Sequence, residues 1–209
     1  MRYKLNKKKY SVHGQILDAI PEGASVLEVG TAQGYITKIL KEEKNCVVTG
    51  VEIDRKSAEI AAQFCKKIFV GDIEKREFDE IFKESYDVVL CLDVVEHLAS
   101  PEEFLRRLVT LENRKTVFYF SVPNVVNFVV RAKVFFGNFT YTKTGILDET
   151  HLHFYTKKTF KSLLQKVGFV VEQDYAVPQL PFSRLGKLGY ILTRLRPTLM
   201  SSHIMFRCK

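Results

Sequence analysis

The chain predicts an α/β fold built on a doubly wound, seven-stranded, mostly parallel sheet. Three observations carry that expectation. Short β-branched apolar runs alternate with segments of helical period along most of the length, the pattern of strands covered by helices on both faces. The first run ends in a small-residue turn, Gly30-Thr31-Ala32-Gln33-Gly34, just before a helical segment. Acids then close the next two runs, at Glu52 and Asp72, where a ligand lying across the strand ends can reach them.

The elements follow in order. Ser25–Gly30, Cys46–Glu52, Lys67–Val70, Tyr86–Leu92 and Thr116–Val122 read as buried strands. Helical stretches lie between them at Gln33–Glu43, Lys56–Lys66, an ambiguous Lys75–Lys83, and Pro101–Leu111. Ser100 ahead of Pro101, Glu102 and Glu103 marks a helix start, with a capping hydroxyl and first-turn acids facing free amides. A helix over Lys157–Val167 ends at Gly168, and strands follow at Phe169–Val177 and Ser202–Arg207. About two dozen residues join the last two strands, enough for an antiparallel pair at the sheet edge.

With 209 residues, one domain is expected. Residues 1–24 form an N-terminal tail and helix, and residues 25–123 a cofactor-binding core. Residues 124–155, rich in aromatics, Asn and Gly, form an inserted cap. Residues 156–209 supply a helix, edge strands and a basic amphipathic insert. Hydrophobic residues make up 46% and charged residues 27%, which excludes disorder, collagen and a disulfide scaffold. Cys46, Cys65, Cys91 and Cys208 form no CxxC pair and read as reduced thiols of a cytoplasmic protein. Basic residues at the N-terminus precede no apolar core, unlike a signal peptide, and no run reaches the length of a membrane span.

The net charge of +8 is uneven: residues 1–119 carry 19 basic and 20 acidic side chains, whereas residues 120–209 carry 13 and 4. Within the second part, Pro178–Pro197 sets Phe182, Leu185, Leu188, Ile191, Leu192 and Leu195 near helical spacing, with Arg184, Lys187, Arg194 and Arg196 between them. Such a segment either packs on the sheet edge or touches a membrane surface or lipid-linked acceptor peripherally.

The turn after the first strand is G-x-x-x-G with Ala32 at its centre, not the G-x-G-x-x-G of nicotinamide enzymes. Its acid, Glu28, lies two residues before Gly30; it would repel a pyrophosphate and suits a cationic ligand. Glu52, twenty-four residues on, can accept both hydroxyls of a ribose, or stand as a solvated strand-end acid. Asp72 can accept from an adenine amino group while Ile73 packs on the ring, or cap the short segment that follows.

VLEVGTAQG, GVEID, GDIEK and YDVVLCLDVVEHL occur in that order over most of the chain, and in this the chain resembles the class I S-adenosylmethionine-dependent methyltransferases. The resemblance implies strand order 3-2-1-4-5-7-6 with one antiparallel edge strand, and S-adenosyl-L-methionine as cofactor, released as S-adenosyl-L-homocysteine. It implies that Glu28, Gly30 and Gly34 surround the methionine part, Glu52 the ribose, and Asp72 with Ile73 the adenine, with Ala32, Ile53 and Leu92 also at the cofactor. Ala32 stands where the family commonly has a glycine. SVPNVVNF and GILDETHLHFYTKKTFKSLL, followed by VGF, look like methyltransferases found beside glycosyltransferases in bacterial surface-polysaccharide clusters, and like the group with ubiquinone-biosynthesis O-methyltransferases. The implied acceptor is small or glycan-linked, methylated at oxygen.

A hydroxyl acceptor calls for a base. Asp93 and His97 follow the fourth strand, and Asp148, His151 and His153 form D-x-x-H-x-H in the cap. Asp93, His151 and Asp148 are the catalytic candidates, His151 because an imidazole titrates near neutrality. Residues 151 and 153 would share one side of an extended segment. His97 is read as a brace of its loop or a base, and Glu96 as a structural partner. Asp148 and the two histidines offer three zinc donors, but the resemblance implies no metal. Two other readings stay open. An RNA methyltransferase could grip phosphates with the basic second half, although no N/D-P-P-Y-like run follows the fourth strand. A non-catalytic regulatory domain could keep the cofactor fold alone.

Overall fold

The computed structural model describes residues 12–111, 115–178 and 186–209. Seven strands run in chain order: β1 Ser25–Val29, β2 Val47–Glu52, β3 Lys67–Val70, β4 Val88–Leu92, β5 Val117–Pro123, β6 Val171–Pro178 and β7 Ser201–Cys208. The helices are α1 Val12–Ala19, α2 Tyr35–Lys44, α3 Arg55–Ala61, α4 Pro101–Val109, α5 Phe128–Phe135, α6 Lys157–Val167, α7 Gly186–Leu195 and the short α8 Pro197–Met200. Arg76–Lys83, the segment the sequence leaves ambiguous, is a 3-10 helix.

One sheet has the expected order, β3-β2-β1-β4-β5-β7-β6. The pairs from β3 across to β5 are all parallel. β7 runs antiparallel to both β5 and β6, so the antiparallel strand lies one place in from the edge, which β6 forms. Order reverses between β1 and β4, and the crevice outside their carboxyl ends is where α/β sheets hold ligands. Leu27, Val89, Phe104, Phe120, Phe160 and Phe206 pack on one face of the sheet. Ile16, Val26, Leu40, Val48 and Leu90 pack on the other.

Helix ends follow local chemistry. Gly34, at φ +74°, delays α2 to Tyr35. Asp54 caps α3 by accepting from Ser57 N–H at 2.8 Å, and α3 ends at Ala61 rather than Lys66. Ser100 precedes α4 but its hydroxyl makes no cap bond; Glu74 instead accepts the N–H groups of Ala99 (2.8 Å) and Ser100 (2.6 Å). The expected hydroxyl cap is thus absent, and an acid from another loop fixes the two residues ahead of the helix. Thr156 and Thr159 form a reciprocal capping box at α6, and Gly168, at φ +118°, ends it.

The cap begins at SVPN. Asn124 Nδ2 donates to Ser201 O and Oγ, both at 3.0 Å, and so ties the end of β5 to the start of β7. Asn127 caps α5 through Val130 N–H at 3.0 Å. Of the basic amphipathic segment, α7 leaves Leu188, Ile191 and Leu195 exposed. Phe182, Arg184 and Leu185 lie outside the described residues, as does the N-terminal tail before Val12. Among the described residues, no helix is long and apolar enough to cross a membrane.

Candidate active site

The turn after β1 is bound to β2. Gly30 and Thr31 N–H both donate to Val51 O, at 2.8 and 3.1 Å. A Cβ on Gly30 would lie 2.6 Å from Val94 Cγ2, and Gly30 has φ +78°, so only glycine fits. Ala32 sits at φ +46°, a left-handed conformation that costs an L-residue about 1–2 kcal/mol. Its N–H is held by Glu52 Oε2 at 2.7 Å. Gly34 has a different place from the one expected. It lies outside the cavity wall, and a Cβ there would meet Ala61 Cα at 2.9 Å; it serves the close approach of α2 to α3.

A cavity of about 700 Å³ opens at the carboxyl ends of β1 to β4. Glu28, Gly30, Ala32, Glu52, Ile53, Asp72, Ile73, Leu92 and Asp93 line it, together with His97, Leu98 and Leu152. Glu28 is only 3% exposed and accepts from Thr37 Oγ1 at 2.5 Å. Burial pushes its carboxyl up to about 8 against the pull of Thr37, with Glu52 adding repulsion; a cationic ligand beside it would reverse that shift. Glu52 also accepts Asp54 N–H through Oε1 at 2.9 Å. Its carboxylate is therefore oriented by two amides rather than solvated. Asp72 accepts Glu74 N–H at 3.0 Å, so it turns its own loop while facing the cavity.

The far side of the cavity rests on β4, β5 and β7. Asp93 has φ +54°, a rarely populated conformation of the kind held at functional sites by surrounding structure. Ser121 holds it there: its hydroxyl donates to Asp93 Oδ1 at 2.7 Å and lies 3.1 Å from Asp93 N. His203 Nε2 approaches Asp93 Oδ2 at 3.6 Å. Sequence reasoning misses Ser121 and His203 as partners, because they come from strands that only the fold makes neighbours.

The cap candidates separate. Asp148 accepts from Thr150 N–H (2.9 Å) and Oγ1 (2.7 Å). Burial alone would raise its carboxyl, but these bonds and the two nearby imidazoles hold it below its usual value, and it lies outside the cavity lining. His153 stacks near Tyr155, ring centroids 6.2 Å apart. His151 instead packs edge-on against His97 at 4.8 Å, so residues 151 and 153 do not share one side. His151 is itself behind the wall: Nδ1 meets Ile146 O at 3.1 Å, and burial lowers its pKa while that carbonyl opposes the shift. His97 lines the cavity, with Nδ1 3.1 Å from Thr150 O. Thr150 Oγ1 also lies 3.2 Å from His97 Nδ1; in the tautomer that donates from Nδ1 to a carbonyl, Nε2 is the acceptor. Glu96, 1% exposed, has both carboxyl oxygens without a hydrogen-bond partner among the described residues. Burial, then Asp93, pushes it well up. Donor atoms of Glu96, His97 and His151 all lie within 4.8 Å, a grouping different from the D-x-x-H-x-H set.

A glycine turn under a buried acid, an oriented acid on β2, a third on the β3 loop and a cavity at the switch point of a 3-2-1-4-5-7-6 sheet define a class I S-adenosylmethionine-dependent methyltransferase. The chain belongs to the methyltransferase-domain family, whose model matches residues 2–174. It is 27% identical over 107 residues to the ubiquinone biosynthesis O-methyltransferase of Neisseria meningitidis, covering 49% of this chain and 45% of that protein. It is 28% identical over 99 residues to (S)-tetrahydroprotoberberine N-methyltransferase of Eschscholzia californica, covering 44% and 27%. The matched stretches thus span less than half of these relatives. A solved S-adenosylmethionine-dependent methyltransferase from Archaeoglobus fulgidus superposes with a TM-score of 0.65 at 17% identity, over 95% of this chain and 92% of that one. S-adenosylmethionine is the cofactor, and the residues present suit it. The buried carboxyl of Glu28 is one that an ammonium would return to its charged form.

Proposed function

We propose that the chain methylates a hydroxyl of a small or glycan-linked acceptor, with His97 rather than His151 as the group that takes the acceptor proton. The observation that carries this is the orientation of His97. It lines the cavity with Nδ1 3.1 Å from Thr150 O, so that in the tautomer donating to that carbonyl Nε2 is the acceptor.

Bound S-adenosylmethionine supplies a methyl group already activated on a positively charged sulfur. The task of the chain is to hold donor and acceptor together, which contributes about 7–11 kcal/mol when geometry is near attack. Glu28 neutralises the ammonium, Glu52 takes the ribose hydroxyls, and Asp72 with Ile53 and Ile73 frames the adenine. Asp93, oriented by Ser121, would bind the acceptor or the cofactor amino group. As the acceptor oxygen bonds to the methyl carbon, the carbon–sulfur bond would break with its electron pair going to sulfur, leaving S-adenosylhomocysteine, and the acceptor proton would pass to His97 Nε2. The imidazolium that forms would stay bound to Thr150 O, with His151 packed edge-on against it. The resemblance of the cap motifs to polysaccharide-cluster methyltransferases supports the glycan-linked acceptor, and the relatives' names include both oxygen and nitrogen methylation.

The test is S-adenosylhomocysteine release with panels of phenol, sugar-hydroxyl and amine acceptors. His97→Ala should bind cofactor as the parent does by calorimetry but turn over about 10²–10⁴-fold more slowly. His97→Asn should remain slow, since an amide can orient a hydroxyl and cannot take its proton. Parent-like turnover in both variants removes His97 from the reaction, and turnover of amines alone removes the hydroxyl.

A further inference from the structure

We infer that the cap carries a docking face for an anionic membrane surface, formed by Phe135, Phe136, Phe139 and Tyr141 with Lys133 and Lys143. α5 ends at Phe135, and Gly137, at φ +73°, turns the chain immediately after it. At that turn Phe135 is 84% and Phe136 82% exposed, their rings edge to face with centroids 5.3 Å apart. Two side chains of this size displayed to solvent mark a contact surface rather than ordinary surface variation. Phe139 and Tyr141 are exposed beside each other, centroids 5.8 Å apart, and Val134 is exposed too.

Charge decides the occupant. Residues 113–147 contain no acid, while Arg131, Lys133 and Lys143 lie on this stretch and are exposed. Aromatic side chains with interleaved cations match the boundary between acyl chains and anionic headgroups, where rings enter and ammonium groups stay with phosphates. A second copy of the chain fits poorly. A two-fold contact through this face would bring Lys133 and Lys143 toward their own kind, offset only in part by Glu149, which folds back beside Lys143 through a 2.9 Å bond from its N–H to Thr142 O. The same chemistry recurs on α7, where exposed Leu188, Ile191 and Leu195 alternate with Lys187 and Arg194.

The face also connects to the cavity. Phe139 packs on Phe154 (5.8 Å), Phe154 on His151 (6.2 Å), and His151 on His97. A cap seated on a bilayer would hold the cavity mouth toward acceptors carried on lipid; that last step rests on the proposed hydroxyl acceptor, whereas membrane binding does not and is measured without turnover.

The experiment is co-sedimentation of the full chain with vesicles of phosphatidylcholine alone and of phosphatidylcholine mixed with phosphatidylglycerol, at low and high salt. The parent should bind the mixed vesicles, much less the neutral ones, and release in salt. Phe135→Ser with Phe136→Ser should cut binding about tenfold or more, and Lys133→Glu with Lys143→Glu should remove the preference for phosphatidylglycerol. All four positions are exposed, so thermal unfolding and calorimetric cofactor affinity should match the parent. No binding by the parent overturns the proposal. So does binding left intact in the phenylalanine variant, since the basic N-terminal tail would then carry it. A parent dimer that the phenylalanine variant dissociates, without vesicle binding, also overturns it and makes the face a contact between copies.

Discussion

The buried acid on β1 makes the stability of the cofactor-free protein fall as pH rises, and Glu28→Gln should remove its share of that slope, leaving the share of Glu96, which burial also raises. Glu28 moves from an ordinary 4.5 to about 8, first because burial disfavours its charge and then because Glu52 repels it, with Thr37 opposing. Between those pH values the folded chain keeps a proton that the unfolded chain has released. Unfolding therefore releases a proton, and raising the pH favours it. The slope is at most about 1.4 kcal/mol per pH unit, so the ceiling over the window is about 4–5 kcal/mol. At about 2–4 °C per kcal/mol for a domain of this size, the melting temperature should drop by about 10 °C between pH 5 and 8. The Glu28→Gln side chain keeps an amide oxygen as acceptor for Thr37 Oγ1 and cannot ionise, so the variant's profile should be flatter than the parent's. The chain has no tryptophan; circular dichroism or calorimetry at constant ionic strength is the assay. Cofactor binding carries the opposite sign, because the ammonium wants Glu28 ionised: affinity of the parent should rise with pH up to about 8 and that of the variant should not. Parallel melting profiles for parent and variant across this range would refute the assignment of Glu28 as a neutral buried acid.

Two further outcomes follow from the cofactor loop. Glu52→Ala removes the acceptor of Ala32 N–H and Asp54 N–H together with the proposed ribose contact, and should weaken S-adenosylmethionine binding by about 1–3 kcal/mol in calorimetry while the protein stays folded. Gly30→Ala forces a Cβ to within 2.6 Å of Val94 Cγ2 at a positive φ; it should destabilise the protein by about 1–3 kcal/mol in chemical denaturation and abolish measurable cofactor binding.

Much of the architecture was legible because its signals are local. Lys67–Val70 and Lys157–Val167 begin and end where their apolar period and flanking residues say. The acids Glu28, Glu52 and Asp72 were legible from spacing alone, since parallel strands of similar length bring their ends to one edge. Element ends were less legible where the deciding partner is remote. Ser100 looks like a capping residue but its hydroxyl makes no such bond, and Glu74 holds the entry to α4 instead. α3 stops at Ala61 although the sequence continues in helical period. Gly34 looks like a ligand glycine and is a packing glycine, since the same absence of a Cβ serves either a cofactor or the neighbouring Ala61.

Composition, periodicity and the spacing of a few acids and glycines by themselves determined the α/β sheet and the ligand edge, and the family was legible from the likeness of four motifs to those of class I methyltransferases. These depend on short-range preferences and on a repeat the chain cannot hide. Tertiary structure alone decided the acceptor side. It set β7 inside the sheet between β5 and β6, so that Ser121 and His203 meet Asp93 from strands far apart in the chain. It folded the cap so that His151 stands behind His97 and away from His153. It also left Phe135 and Phe136 outward, where a helical sequence pattern would equally have allowed them to face the core. Local preference specifies which backbone a segment adopts. Which side chains converge depends on strand pairing and burial, and those are settled only when the whole chain is packed.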